Sequence, residues 1–447
     1  MSDPVVVVGG GPAGLACAIE LRRLGVPEVV VLDREAQAGG IPRHSGHLGF
    51  GIRDLKRVMS GPSYARRYVE SARQAGARVV EEAMVTGWSA SGELEVTSPE
   101  GRDALRAAAV VLATGCRERP RSARLVPGSR PEGVMTTGTL QQLVELRGER
   151  VGRRALVVGA EHVSFSAVLT LAHAGARVVG MVTELPRHQT IAAFRAGAAL
   201  RYRAPLWTRT AVSGIYGRGR VEEVELRELG TGQTRRLACD TVVFTADWIP
   251  DHELAVMAGL ELDPGTRGPR VDTGLRTARP GVFGAGNLLH GAEPADVAAL
   301  SGRHAAQSVA RWLAERHPWP GSGVPITCRP PLHWISPNAI GPVRDAPPRG
   351  RFALRSRAFL RRPAIELRQG DRVLWSGRLA RLVPGRSASL SAGWIGSVDN
   401  TGGPIEISVR DLTPQMRLDY ARRTTDRWTG VVCQKEDEDA RPRAPRS

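Results

Sequence analysis

One stretch near the N-terminus, residues 5–33, most strongly limits what this chain can fold into. Four consecutive valines, Val5–Val8, predict a strand buried on both faces, and the glycine-rich Gly9-Gly10-Gly11-Pro12-Ala13-Gly14 follows directly. Apolar residues then recur at helical spacing as far as Gly25, and a second apolar run, Val29-Val30-Val31-Leu32, ends on Asp33. Strand, glycine turn, helix and strand in this order predict a βαβ unit of a parallel sheet.

The residue types in this glycine turn suit a dinucleotide pyrophosphate. Gly9 permits the tight turn, Gly11 lets the pyrophosphate approach the backbone, and Gly14 permits close packing of the helix on the strand. Pro12 and Ala13 begin the helix, whose N-terminus offers free N–H groups and a positive dipole end to the phosphates. The sequence therefore predicts a dinucleotide cofactor at this turn.

Asp33 completes the pattern, because an acidic residue about 20 residues beyond the first glycine holds ribose hydroxyls in such units. The motif alone does not distinguish FAD from NAD, but a family resemblance favours FAD. The segments Val110-Val111-Leu112-Ala113-Thr114-Gly115 and Thr277-Ala278-Arg279-Pro280-Gly281-Val282-Phe283-Gly284-Ala285-Gly286-Asn287 resemble the FAD-binding strands of flavoprotein pyridine-nucleotide oxidoreductases. The resemblance implies FAD at the first site, held also by Arg34, Gly40, Thr114, Gly115, Gly286 and Asn287.

A narrower resemblance covers residues 4–317. Gly39-Gly40-Ile41, Ser60-Gly61-Pro62-Ser63-Tyr64-Ala65 and Gly286-Asn287-Leu288-Leu289-His290 resemble flavoproteins encoded beside glycerol-3-phosphate dehydrogenase-like enzymes. They resemble, more distantly, the large subunits of opine oxidases and hydrogen cyanide synthase. This implies a FAD-dependent oxidoreductase that oxidises a small amine, amino acid or hydroxy compound and passes the electrons to a redox partner subunit or to oxygen.

A second βαβ pattern begins near Arg154, in the position where reductases of this fold bind NAD(P)H. Its turn reads Gly159-Ala160-Glu161-His162-Val163-Ser164, so Glu161 replaces the glycine that lets the backbone approach a pyrophosphate. Asp247 likewise stands where these domains usually place glycine. A carboxylate beside the phosphates carries an electrostatic and steric penalty. We therefore expect NAD(P)H binding to be doubtful, with a shifted but working site as the alternative.

Candidate catalytic residues follow the Gly39-Gly40 turn and the strand that ends at Gly115. His44 and His47 titrate in the range useful for moving protons, although each can simply bond backbone or solvent. Arg117 can bind phosphate or a substrate carboxylate, or it can pair with Glu118. Cys116 is interpreted as a packed thiol, because no base is paired with it in the sequence.

The composition excludes several kinds of site. The net charge of +17 comes almost entirely from scattered arginines, which favours a charged surface or an acidic partner protein over nucleic acid. The five cysteines form no CxxC pair, which argues against a thiol–disulfide centre and a metal site. Such scattered cysteines suit the cytoplasm, and no apolar run approaches a transmembrane segment. Homo- and hetero-oligomers both stay open.

These patterns predict an α/β fold with two Rossmann-like dinucleotide-binding domains and a small C-terminal β-rich domain. We expect a discontinuous FAD-binding domain at 1–145 and 250–317, a second nucleotide-binding-like domain at 146–249, a linker at 318–331, a small antiparallel β domain at 325–412, and a disordered tail at 425–447.

The sequence leaves three possible functions open. The first is a FAD-dependent dehydrogenase acting on a small organic substrate, and the second is an NAD(P)H-dependent FAD reductase. The third is a non-catalytic, flavin-bearing subunit of a multi-subunit oxidase. The state of the Glu161 turn separates the first from the second, and turnover without a partner separates both from the third.

Overall fold

A computed structural model describes residues 3–291, 293–315, 319, 321 and 323–412. Its first sheet is parallel and five-stranded, and it contains the predicted βαβ unit. The valine strand lies at its centre because four buried apolar side chains in a row suit a strand covered on both faces. The strand order across the sheet is Val282–Gly284, Ala109–Leu112, Val5–Val8, Val29–Leu32 and Arg78–Val80.

Three helices cover one face of this sheet, and their close approach depends on small residues. The helix Pro12–Arg23 packs against Ala295–Glu315 and Gly61–Gln74. A Cβ atom on Gly14 would overlap the carbonyl oxygen of Gly9, and one on Gly302 would overlap the backbone of Ala13. A three-stranded antiparallel sheet is inserted in the chain just before the strand Ala109–Leu112. Its strands are Met84–Trp88, Leu94–Ser98 and Gly101–Leu105.

The second βαβ pattern forms a second parallel five-stranded sheet, as predicted. Its strands are, in order across the sheet, Val134–Thr136, Thr241–Phe244, Arg154–Val158, Arg177–Val182 and Leu206–Trp207. Its helices are Thr137–Gln141, which continues as a π-helix at Gln142–Leu146, His162–His173 and Ala192–Tyr202. An antiparallel sheet again accompanies it, formed by Thr210–Tyr216, Glu223–Glu228 and Thr234–Ala238.

A short antiparallel pair lies where the chain passes between the two parallel sheets. Cys116–Glu118 pairs there with Trp248–Pro250. Cys116 comes shortly after the strand Ala109–Leu112, and residues 116–119 line the same cavity as both nucleotide-binding turns. The chain's remaining short elements are Ile41–His44, Leu48–Phe50, Met59–Ser60, Ser122–Arg124, Glu253–Met257 and Gly286–Leu288.

The C-terminal region is β-rich, as predicted, with two corrections. The predicted linker contains a strand, Val324–Cys328, because alternate side chains of this segment enter the apolar core of the region. The sheet is not wholly antiparallel, since this strand pairs in parallel with Ile405–Val409. The other strands are Leu332–Ser336, Ala339–Ile340, Arg351–Ser356, Leu360–Arg361, Ala364–Gln369, Arg372–Arg378, Arg381–Leu382 and Ala388–Ser391, with short 3-10 turns at Pro348–Gly350 and Ile395–Ser397.

The predicted α/β class with two parallel-sheet units is therefore confirmed, and the exact domain limits stay predictions. The predicted disordered tail at 425–447 lies outside the described residues. Within the described part of the chain, none of the helices combines the length and the apolar character needed to cross a membrane.

Candidate functional site

The first glycine turn forms an open cradle at a helix N-terminus. The helix Pro12–Arg23 begins without a side-chain cap, which leaves its first N–H groups to a ligand. A Cβ atom on Gly11 would meet no atom nearer than the Cα atom of Gly40, at 3.9 Å, so the space above Gly11 is free for a bound group. Gly40 adopts φ 63° and packs on the turn. These features fit a dinucleotide pyrophosphate.

Asp33 lies at the end of the second strand, where the pattern placed it. Its carboxylate accepts hydrogen bonds from the backbone N–H of Gly10 at 2.7 Å and of Glu35 at 2.8 Å. The side chain is buried, and burial raises its pKa above the ordinary value. The carboxylate thus ties the glycine turn to the next loop, and its contact with a ribose stays a prediction.

Arg117 lies in an ion-pair network on the rim of the same cavity. Its guanidinium pairs with Asp251 and, at 2.6 Å, with Glu253, whereas pairing with Glu118 was the wrong alternative. Arg34 joins this network through Asp251 at 3.6 Å. The hydroxyl of Thr114 donates to the carbonyl of Asp251 at 2.7 Å, which fixes the network against Gly115. Two carboxylates already hold Arg117, and its catalytic role stays a prediction.

Gly286 and Asn287 belong to the short 3-10 turn Gly286–Leu288, which precedes the last helix, Ala295–Glu315. The amide of Asn287 donates to the carbonyl of Glu293 at 3.2 Å, and its oxygen accepts from the N–H of Glu293 at 3.0 Å. Gly286 has φ 68°, and its N–H donates to the hydroxyl of Ser301. Asn287 therefore shapes the turn before the helix, and its bond to a ribityl chain stays a prediction.

His44 and His47 differ in their surroundings. His44 is 3% exposed, and burial, reinforced by the neighbouring Arg43, lowers its pKa to about 4. Its ring is therefore neutral near pH 7 and can accept a proton only at a cost. His47 is half-buried, donates a hydrogen bond from Nδ1 to the carbonyl of Leu48 at 2.8 Å, and packs on Phe50. Both line the cavity, and their catalytic roles stay predictions.

The second nucleotide turn is closed by its own side chains. Glu161 is 7% exposed, and its carboxylate accepts the backbone N–H of Ala160 at 3.1 Å. The backbone N–H of Glu161 donates to the hydroxyl of Ser164 at 3.2 Å, and that hydroxyl contacts Thr245 at 2.7 Å. The carboxylate therefore occupies the turn's N–H group that a pyrophosphate would use.

Glu118 was not foreseen as part of this second turn. It is buried, accepts the N–H of Gly138 at 2.8 Å, and burial raises its pKa to about 7, with Glu161 adding to the rise. One carboxylate oxygen of Glu118 and one of Glu161 are buried and accept no hydrogen bond from any described residue. Two buried carboxylates so close to one turn further disfavour a phosphate there.

The backbone of Asp247 adopts a conformation that glycine favours. It has φ 55°, in the left-handed region, directly after Ala246 at φ 60°. Its carboxylate pairs with Arg119 at 3.1 Å and with Arg267 at 3.7 Å. Two arginines thus hold a residue whose conformation is costly, and they place their charge in the cavity.

The C-terminal β region contributes a wall of the site that the sequence did not reveal. Arg355 is almost wholly buried and pairs with Glu293 at 3.3 Å, while Ser387 donates to the same carboxylate. Glu293 thus ties the segment before the last helix to the C-terminal β region. Trp334 packs on His290, with ring centroids 4.9 Å apart, and burial lowers the pKa of His290 to about 4. Strand alternation alone would assign Arg355 to solvent.

Asp296 and the cysteines complete the description of the site. Asp296 lies in the first turn of the helix Ala295–Glu315, and its carboxylate accepts the N–H of Arg53 at 2.9 Å. The four described cysteines are free thiols, and Cys116 among them is half-buried.

Comparisons with known proteins support the family and the fold, and they give no support to the expected doubt about NAD(P)H binding. The family model described as "Pyridine nucleotide-disulphide oxidoreductase" matches residues 3–302. The chain is 28% identical over 298 residues to a thioredoxin reductase of Treponema pallidum (strain Nichols), covering 64% of this chain and 88% of the relative. It is 28% identical over 353 residues to a putative glutamate synthase [NADPH] small chain of Cereibacter sphaeroides, covering 70% and 78%.

Two further matches bear on the resemblances stated above. An opine oxidase subunit from Agrobacterium tumefaciens (strain Ach5) is 28% identical over 341 residues, covering 68% of this chain and 64% of the relative. The crystal structure of T. acidophilum thioredoxin reductase superposes with a TM-score of 0.59 at 23% identity, covering 69% of this chain and 98% of that one, which supports the fold. The link to glycerol-3-phosphate dehydrogenase-like enzymes gains no support here and stays a prediction.

Proposed function

This chain belongs to the pyridine nucleotide-disulphide oxidoreductase family and is a flavin-dependent oxidoreductase, and we propose that it moves a pair of electrons from a small donor to a redox partner without a dithiol of its own. The observation that carries the proposal is the open first turn beside a cavity whose described lining contains a single cysteine, Cys116. Its relatives include proteins named as a subunit or a small chain, which supports a partner.

The residues present fit FAD. The uncapped helix at Gly11 and Ala13 would hold the pyrophosphate, and Asp33 would face the adenosine ribose. Gly286 and Asn287 would border the ribityl chain. When bound, FAD accepts two electrons from one side and releases them singly or as a pair.

The sequence argues against a thiol relay. Its five cysteines include no CxxC pair. Cys116 follows the Gly115 turn and lies in the cavity, but no second described cysteine forms a disulfide with it. We infer that the electrons leave for a partner or acceptor outside this chain, rather than by the thiol exchange of a disulfide reductase.

The donor has two candidates, and the first is a small organic substrate. It is favoured by the carboxylate of Glu161, which already accepts the Ala160 N–H in the second turn. His47, half-buried beside the Gly40 loop, would accept a proton as the donor is oxidised. His44, with its pKa lowered to about 4, would keep the neighbouring loop neutral and packed.

The second candidate is NAD(P)H, which the relatives favour over amine oxidation. The glutamate synthase relative carries NADPH in its name, and the comparisons give no support to doubting a nicotinamide donor. Binding would require the Glu161 side chain to leave the turn, or the pyrophosphate to lie beside it.

An anaerobic titration of the purified, FAD-loaded protein separates the candidates. NADH, NADPH and small 2-hydroxy and 2-amino acids are added in turn, and flavin absorbance is followed. Bleaching by an organic acid and not by NAD(P)H supports the first candidate, and rapid bleaching by NAD(P)H supports the second. A protein that never binds FAD would refute the proposal itself.

A further inference from the structure

The C-terminal β region contacts the segment that follows Asn287 through a closed set of hydrogen bonds. Arg355, on the strand Arg351–Ser356, pairs with Glu293 at 3.3 Å. Its Nε atom also donates to the hydroxyl of Ser387 at 3.1 Å, and that hydroxyl donates to the Glu293 carboxylate. Three side chains therefore form a triangle, and two of them, Arg355 and Ser387, belong to the C-terminal β region.

Glu293 in turn holds the side chain of Asn287 with its backbone. The Glu293 N–H donates to the amide oxygen of Asn287 at 3.0 Å, and the amide nitrogen of Asn287 donates to the Glu293 carbonyl at 3.2 Å. These two bonds fix which end of the amide carries the oxygen. The second N–H and the second lone pair of the amide form no hydrogen bond with any described residue, so both are available to a ligand.

Asn287 lies beside the cradle at the first glycine turn. Its neighbour Gly286 packs so tightly on the helix Pro12–Arg23 that an added Cβ atom would lie 2.6 Å from the Cβ atom of Ala13. Ala13 belongs to the uncapped first turn of that helix, where we expect a pyrophosphate. The Asn287 side chain is half-buried and lines the cavity. A change in the orientation of its amide would therefore act on a cofactor bound in the cradle.

The burial of Arg355, which is 7% exposed, suits a positioning role better than a stabilising one. Two charges removed from water lose hydration that their attraction barely repays, so a buried ion pair adds little to stability. A planar guanidinium does fix direction, because its N–H groups point along set lines toward Glu293 and Ser387. Arg355 also lies over the ring of Trp334, 4.9 Å from its centroid, and that ring packs on His290. The C-terminal region thus holds the segment before the last helix at two points.

We propose that Arg355, together with Ser387, is a positioning residue for FAD: it holds Glu293, whose backbone keeps the Asn287 amide in the orientation that a bound cofactor meets. The inference rests on the proposed function, because it takes FAD as the occupant of the first cradle. It gives the C-terminal β region, which lies beyond the residues 3–302 matched by the family model, a part in cofactor binding.

The test uses the full-length apoprotein, titrated with FAD and followed by flavin fluorescence. Arg355→Met removes the guanidinium at similar volume, and Arg355→Lys keeps the charge without the planar fork. Ser387→Ala is the milder variant, because the ion pair stays. Arg351→Met and Ser389→Ala are the matched controls, since they make the same changes at exposed positions of the same β region, outside the cavity. Thermal melting checks that each variant is folded at the titration temperature.

We expect Arg355→Met to raise the dissociation constant of FAD at least about tenfold and Ser387→Ala to raise it about threefold. Arg355→Lys should recover part of the affinity lost in Arg355→Met, because it restores the charge beside Glu293. Both controls should bind FAD like the unsubstituted protein. An Arg351→Met variant that loses as much FAD affinity as Arg355→Met would overturn the inference.

A double-mutant cycle with Asn287→Ala separates positioning from general stabilisation. With alanine at position 287, Arg355→Met should change the dissociation constant less than about twofold, because the amide through which Arg355 acts is gone. Ser387→Ala enters the same cycle in place of Arg355→Met where the latter does not fold. Tight FAD binding by the unsubstituted protein with effects that multiply in the cycle would overturn this inference alone. An unsubstituted protein that binds no FAD would overturn the proposed function and the inference with it.

Discussion

Substitution of Glu161 gives the sharpest test of how the second nucleotide turn works. Glu161→Gln removes the charge and keeps the shape, whereas Glu161→Gly removes both and restores the glycine that such turns carry. The residue has φ −98°, an ordinary extended conformation, so glycine is not required there for backbone reasons. Both variants should therefore fold, and any change in nucleotide affinity reports on the side chain.

The magnitude follows from the position of the carboxylate. A phosphate that took over the Ala160 N–H, now 3.1 Å from a Glu161 oxygen, would lie about 4 Å from that carboxylate. Two like charges at this distance and an effective dielectric constant of about 20 repel by ~4 kcal/mol. Since Glu161 is 7% exposed, solvent screens little of this. Allowing for relaxation, we expect a gain of about 2 to 4 kcal/mol, or ~30- to 1000-fold in affinity.

Dissociation constants for NADPH and NADH, measured by calorimetry on the FAD-loaded protein, provide the assay. Glu70→Gln is the matched control, because Glu70 is exposed on the helix Gly61–Gln74 and lies outside the cavity. Affinity should rise from Glu70→Gln to Glu161→Gln and again to Glu161→Gly. Micromolar binding by the unsubstituted protein, unchanged in both Glu161 variants, would refute the reasoning.

Three further predictions concern the FAD cradle and the buried acids. Gly11→Ala should lower the FAD-to-protein absorbance ratio several-fold and leave the melting temperature unchanged, because the added Cβ enters the free space meant for the cofactor. Gly14→Ala should instead lower the melting temperature, because its Cβ would overlap the Gly9 carbonyl. The reverse pattern would show that FAD does not bind at Gly11. Asp33→Asn should reduce FAD retention about tenfold in equilibrium dialysis, since an amide cannot accept both backbone N–H bonds; full retention would contradict this role. The pKa of Glu118 is raised to about 7 from 4.5, so its protonated form stabilises the fold at low pH and this stabilisation is lost as pH rises through 7. Between pH 4.5 and 8, Glu118→Gln should therefore gain ~3 kcal/mol of stability relative to the unsubstituted protein. An equal stability difference between the two proteins at both pH values, measured by thermal melting, would contradict this prediction.

Local patterns were enough to predict both βαβ units. The Val5–Val8 strand, the Gly9 turn and the strand ending on Asp33 all form as expected, because periodicity and turn chemistry act over a few residues. The family and the flavin-dependent class also followed from such segments. The same local view misjudged the start of the C-terminal region, where proline and glycine concealed the strand Val324–Cys328.

Only the tertiary structure decided which distant side chains meet. Arg117 pairs with Asp251 and Glu253 rather than with its neighbour Glu118, since a strand points adjacent side chains to opposite faces. Arg355 of the C-terminal β region pairs with Glu293, and no spacing in the sequence encodes that contact. The sequence determined the elements and their turns because those depend on near neighbours. The charges that meet in the cavity depend on how the three sheet-forming regions pack, which is a property of the folded chain alone.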